Sequence, residues 1–183
     1  TMSFLQLAKK RQSTRKFKNT PVGRDIIKRC LEAARLAPSA CNAQPWRFII
    51  VDDEKLKEAV ARETFSAIVP FNRFTLQAPA MVVIVTERPN LTAQIGGKLK
   101  NKEYSLIDIG IAAQHFCLQA TQEGLGTCML GWFNEEPIKK LLNIPKQKGI
   151  GLLIALGYPE SDQIKPKKRK PIEQIAEYNS YYS

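Results

Sequence analysis

The stretch SLIDIGIAAQHFCLQATQEG, residues 105–124, has helical spacing but carries apolar side chains on more than one face. A helix that is apolar nearly all round has to be covered on every side. It must therefore lie at the centre of a domain or in a subunit interface. Its small residues Gly110, Ala112 and Ala113 suit close approach by neighbours. The run APAMVVIVTE, residues 78–87, repeats the constraint in strand form, because its unbroken apolar pattern suits a strand buried on both faces. Any fold for this chain has to enclose both.

The other elements follow from local pattern. Ser3 caps a short helix over 3–10 with Phe4, Leu7 and Ala8 as its stripe. RDIIKRCLEAARLA, residues 24–37, aligns Ile26, Ile27, Cys30, Leu31 and Ala34 on one face and stops before Pro38. RFIIVDD reads as a strand, and DEKLKEAVARE as an amphipathic helix. After a helix stop at Gly124, LGTCMLGWF is a third strand. EEPIKKLLNI is a short helix with Pro137 in its first turn, and GIGLLIALGYP is a fourth strand. Residues 87–104 carry Pro89 and Gly96-Gly97 without periodicity and read as a long loop. The end of the chain reads as extended and basic, then short-helical. The order α α β α β α β α β suits one domain over 1–183, built as a mixed sheet flanked by helices. No G-x-G-x-x-G follows a strand, which disfavours a Rossmann unit.

No apolar run reaches the roughly 18 residues needed to span a bilayer, and TMSFLQLAKKRQS has no apolar h-region, so no secretory signal is expected. The four cysteines form no C-x-x-C and there is one histidine, so no metal site is expected and the thiols read as reduced, in a cytoplasmic protein. His115 lies mid-helix among apolar residues and reads as structural.

Formal net charge is +11, concentrated in KKRQSTRKFK (9–18) and KPKKRK (165–170). Such charge suits nucleic acid or an anionic small ligand. A basic nucleic-acid-binding module is thus one alternative, although no helix-turn-helix, zinc-finger or RNP-like motif accompanies the charge. In RQSTRKF, Arg11, Ser13 and Arg15 alternate, so an extended backbone turns all three to one side. Two guanidiniums bracketing a hydroxyl make an anion clamp. In PSACNAQPW, Pro38 ends a helix, and Ser39, Asn42 and Gln44 offer donors and acceptors suited to the edge of a planar heterocycle. The same residue types also favour ordinary turns.

RQSTRKF, PSACNAQPWRFIIV, GLGTCMLGWF and PKKRKP, in that order across nearly the whole chain, resemble the FMN-dependent nitroreductase family. The resemblance implies an α+β fold with a mixed, largely antiparallel sheet flanked by helices, in an intertwined homodimer. It also implies FMN as cofactor, NAD(P)H as hydride donor to flavin N5, and ping-pong transfer to nitroaromatic, quinone or similar acceptors. A relative with another flavin reaction, such as dehalogenation or flavin fragmentation, is a further alternative. No nucleic acid or membrane is expected as a partner.

Residue by residue, Arg11, Gln12, Ser13 and Arg15 match the N-terminal FMN motif. Arg11 and Ser13 would meet the phosphate and ribityl chain, and Arg15 the flavin N1 and C2 carbonyl. Pro38, Ser39, Ala40 and Asn42 match a loop reaching the partner subunit's flavin, with Gln44 beside it. Asn72 resembles an asparagine that hydrogen-bonds the ring. Leu130 and Gly131 match backbone beside N5, and Lys167 and Arg169 a basic pair on the phosphate. Gln12 stands where Arg is usual, and Cys41 where a small or hydroxyl residue is common. The resemblance assigns no side chain as catalytic acid or base.

Overall fold

The structure is a computed structural model and describes residues 2–87 and 103–181. Its organising element is β2 (Ala80–Thr86), whose residues are buried up to the last. β2 pairs on one side with β1 (Trp46–Val51) and on the other with β4 (Gly149–Gly157). β4 in turn pairs with β3 (Gly126–Leu130), giving the order β1-β2-β4-β3 with every pairing antiparallel. Among the described residues the sheet is thus antiparallel rather than mixed, and the one parallel contact is an isolated bridge from Ser13, outside the strands, to Thr127 of β3.

Alternation along β2 divides the core into two layers. Val82 and Ile84 face the long helix α4 (Tyr104–Gln122) and α2 (Arg24–Arg35), packing with Ile27, Cys30, Ala113 and Phe116. Met81, Val83 and Val85 face α3 (Glu54–Arg62) and α5 (Glu135–Leu141), packing with Val60 and Ile138. The sheet is therefore covered on both faces, as the unbroken apolar run of β2 requires. Helix α1 (Phe4–Lys10) lies against α4, and its Ser3–Gln6 capping box satisfies its first N–H groups.

Some boundaries differ from the sequence reading, for local reasons. β1 stops at Val51 because Asp52 pairs with Arg24, at 2.7 and 2.9 Å, and Asp53 caps α3 through the Leu56 N–H. β3 covers only the centre of LGTCMLGWF. Beyond Leu130 the chain leaves the sheet, and the Trp132 carbonyl accepts from Asn72 instead. Helix α2 ends at Arg35, ahead of Pro38. The basic tail is extended and then makes one 3-10 turn at Ile172–Gln174. The expected loop at 87–104 falls almost entirely outside the described residues. Among those described, no helix is long and apolar enough to cross a membrane.

Candidate functional site

Residues 12–18 cross one end of the sheet, beside the start of β3 and the end of β4. Thr14 N–H donates to the Thr127 carbonyl at 2.9 Å, and Lys18 N–H to the Tyr158 carbonyl at 2.9 Å. The approach is close enough to require glycine. A Cβ on Gly126 would lie 2.5 Å from Thr14 Oγ1, and one on Gly157 2.4 Å from Pro79 Cδ. Thr14 and Phe17 are buried beneath the segment. The residues that alternate with Thr14 share a different environment, the Cys128 thiol. Burial pushes that thiol up, and Arg15, a hydrogen bond from Ser13 and Arg11 pull it back. Arg11, Ser13 and Arg15 thus all act on one thiol. Arg15 lies over the Phe74 ring, its guanidinium carbon 5.9 Å from the centroid.

The basic tail returns to the same place. Gln12 holds it, donating from Nε2 to the Gln163 carbonyl at 3.0 Å and accepting from the Lys165 N–H at 3.1 Å. Lys167 donates from Nζ to the Lys9 carbonyl. Burial first, then Arg11 and Arg169, hold the Lys167 ammonium below its ordinary pKa. Chain ends some 150 residues apart thus bring three cations within electrostatic reach. Arg24, Arg29, Arg35, Arg47 and Arg62 each hold a carboxylate. No ion pair among the described residues engages Arg11, Arg15, Lys167 or Arg169. Clustered cations without a protein counter-ion are a site for an external anion.

Leu130, buried at the end of β3, leads into exposed Gly131. Asn72 is buried, and its Nδ2 donates to the Trp132 carbonyl at 3.3 Å, fixing the segment that follows Gly131. Phe71 and Trp132 meet edge to face beside it, 6.5 Å between centroids.

The turn after α2 forms a second group. Cys41, Asn42 and Gln44 have φ of 51°, 51° and 47°, the left-handed region that non-glycine residues seldom occupy. Ser39 Oγ accepts from the Gln44 N–H at 2.9 Å, and Gln44 Nε2 donates to Asn42 Oδ1 at 3.0 Å. The Ala40 N–H points at Asp108 of α4, 3.2 Å from each carboxylate oxygen. Pro38, Asn42 and Gln44 are exposed. Among the described residues, the hydrogen bonds of Ser39, Ala40 and Gln44 stay within the turn, meet Trp46 at the start of β1 or reach α4, and none runs to the cationic group.

Asp108, Cys128 and the Lys9 and Trp132 carbonyls were not among the candidates read from the sequence. Only Asp108 carried a signal there, as the one acidic residue in the apolar stretch 105–122. His115, whose Nδ1 lies 2.9 Å from the Ile111 carbonyl, sits on the outer side of α4. There it lines an apolar groove with Phe4, Leu7, Ile107, Ile111 and Leu118. Phe4 and Ile107 are 68% and 54% exposed in that groove, so α4 leaves apolar surface uncovered.

Comparison with known proteins agrees with this architecture. The Nitroreductase family model matches residues 8–158. An iodotyrosine deiodinase from Thermotoga neapolitana is 32% identical over 189 residues, covering 96% of this chain and 97% of its own. An NADH dehydrogenase from Thermus thermophilus is 27% identical over 194 residues, with 92% of each chain covered. The crystal structure of a BluB-like flavoprotein from Clostridium difficile 630 superimposes with a TM-score of 0.82 at 26% identity, covering 98% of this chain and 100% of that one. The family match over most of the chain, on a fold with an antiparallel sheet between helical layers, establishes that this protein belongs to the nitroreductase family.

Proposed function

We propose that the protein is an FMN-dependent oxidoreductase that takes hydride from NAD(P)H and delivers electrons to nitroaromatic, quinone or similar acceptors, working as a homodimer. The observation that carries this reading is the convergence of Arg11, Lys167 and Arg169, none of them ion-paired to a carboxylate among the described residues. A phosphate monoester is the anion such a cluster suits, and FMN carries one. Membership of the family and the likeness to a flavoprotein support the choice. Bound FMN would supply reversible two-electron chemistry between nicotinamide and acceptor.

The chain's own residues would bind and orient. Arg11, Lys167 and Arg169 would hold the phosphate, and Ser13 the ribityl chain. Arg15, braced on Phe74, would place a fixed cation at the pyrimidine edge of the ring, where a charge-assisted hydrogen bond is worth about 1.5–3 kcal/mol. Gln12 would act indirectly, since its amide is committed to the tail that carries Lys167 and Arg169. Asn72 would keep the backbone after Leu130 and Gly131 in place through Trp132. The exposed amides of Asn42 and Gln44, with Pro38, Ser39 and Ala40, would face the flavin of a second copy. A dimer across the apolar groove of α1 and α4 would cover Phe4 and Ile107.

The experiment is anaerobic purification with identification of any bound flavin, then reduction by NADH and NADPH in turn and reoxidation by a quinone or a nitroaromatic. Bleaching of the flavin band by nicotinamide and its return with acceptor support the reading. A protein that takes up no FMN refutes it. Reductive deiodination is a second reading, favoured by the Thermotoga relative's name. Iodide release from iodotyrosine by the reduced protein, faster than quinone turnover, selects it.

A further inference from the structure

Asp108 is out of character with its helix. It is 4% exposed in a stretch of α4 that otherwise buries Ile109, Ala112, Ala113 and Phe116. A buried carboxylate ordinarily has a cation or several donors. No ion pair among the described residues engages Asp108, and both of its oxygens are directed at one backbone N–H, that of Ala40. That N–H opens the turn in which Cys41, Asn42 and Gln44 are all left-handed. Three such residues within four persist only where surrounding structure over-determines them. The other hydrogen bonds of Ser39, Ala40, Asn42 and Gln44 close within the turn or on its neighbours in sequence. Among the described residues, the bond to Asp108 is the one from these four that reaches an element distant in sequence, whereas the Gln44 carbonyl accepts from the Trp46 N–H at the adjoining start of β1.

We propose that Asp108 is a positioning residue for the cofactor site, clamping the 39–44 turn so that the Asn42 and Gln44 amides stand outward in a fixed arrangement. The proposal rests on the reading of that turn as flavin-facing. A carboxylate suits the task because it offers two equivalent acceptors and no donor of its own. An asparagine in its place would offer one acceptor and a competing NH2. Without the clamp the turn relaxes from its left-handed residues, and binding has to restore the order it has lost.

The test separates positioning from ordinary fold support. Removing a buried carboxylate that has one neutral partner among the described residues relieves its desolvation, and alanine is a better helix former. D108A apo-protein is therefore expected to melt at or above the wild-type temperature. Its FMN affinity, titrated by flavin fluorescence, is expected to fall about tenfold or more, the scale of one charge-assisted hydrogen bond. D108N is expected to fall between the two. Hydrogen exchange in the apo-proteins is expected to speed up in peptides covering 39–46 and not in β2 or β4. If D108A fails to fold, D108N carries the same two measurements. Unchanged FMN affinity with unchanged exchange at 39–46 overturns the proposal, as does a lowered melting temperature with wild-type affinity. Wild-type protein that ignores FMN overturns the proposed function and this inference together. Wild-type binding matched by the variants overturns only the inference.

Discussion

Replacing both Arg11 and Arg169 by alanine leaves Lys167 as the sole member of the cationic cluster. Arg11 is half-buried beside the buried Cys117 and Cys128 thiols, so in the proposed site its contact with a phosphate would be charge-assisted and partly shielded, worth about 1.5–3 kcal/mol. Arg169 is exposed and its contribution is screened to roughly 0–1 kcal/mol. Together the loss is about 1.5–4 kcal/mol, or roughly 10- to 1,000-fold in FMN affinity. The apo-protein should not suffer, because the substitutions remove two like charges that crowd Lys167. The sign of the pH effect follows from burial first and then from the same crowding. The Lys167 pKa is lowered in the folded chain, so between that value and the ordinary 10.5 the unfolded chain holds the extra proton and apo stability rises with pH. FMN affinity runs the other way, falling as Lys167 loses its charge over that interval. The double variant narrows the interval to what burial alone leaves. The assay is FMN titration of apo-protein with a parallel melting curve. Full retention of FMN by the double variant, at wild-type affinity, refutes the phosphate assignment.

Burial pushes the Cys30 thiol up to about 12, the Cys117 thiol to about 11, and Cys128 in the same direction, whereas Cys41 is exposed. Ellman titration at pH 8 should therefore find one fast thiol in native protein and four after denaturation; several fast thiols would contradict the packing. Gly126→Ala puts a Cβ within 2.5–2.8 Å of three Thr14 atoms. It should cost about 1–3 kcal/mol, a Tm drop of roughly 2–12 °C at this chain length, and loosen flavin with it; an unshifted melting curve would show that the Thr14 contact is not close. Ile107→Glu places a charge in the apolar groove, and sedimentation equilibrium should find it monomeric against a dimeric parent. A monomeric parent would remove the dimer from the proposal.

The order of elements was legible in the sequence because each one obeys a local period. Phe116 and Ala113 mark a buried helix, Val82 to Val85 a strand buried on both faces, and Gly124, at φ 81°, the end of α4. Strand order was not legible. Nothing local says that β4 inserts between β2 and β3, since any two of these apolar strands satisfy the same pattern. For the site, the alternation of Arg11, Ser13 and Arg15 was readable as a one-sided display, because period two is a property of extended backbone. The approach of Lys167 to Arg11 was expected only through family resemblance, because it depends on Gln12 gripping the chain at Gln163 and Lys165. The Asp108–Ala40 contact spans 68 residues and leaves one trace in sequence, a lone acid in an apolar helix.

The most direct measurement compares FMN with riboflavin on the same apo-protein, since the two differ only in the phosphate. If Arg11, Lys167 and Arg169 form the phosphate grip, FMN binds about a hundredfold or more tighter than riboflavin, as two or more charge-assisted contacts require. That ratio shrinks as salt screens the cluster. Equal affinity for the two ligands at low salt, or uptake of neither, would contradict it.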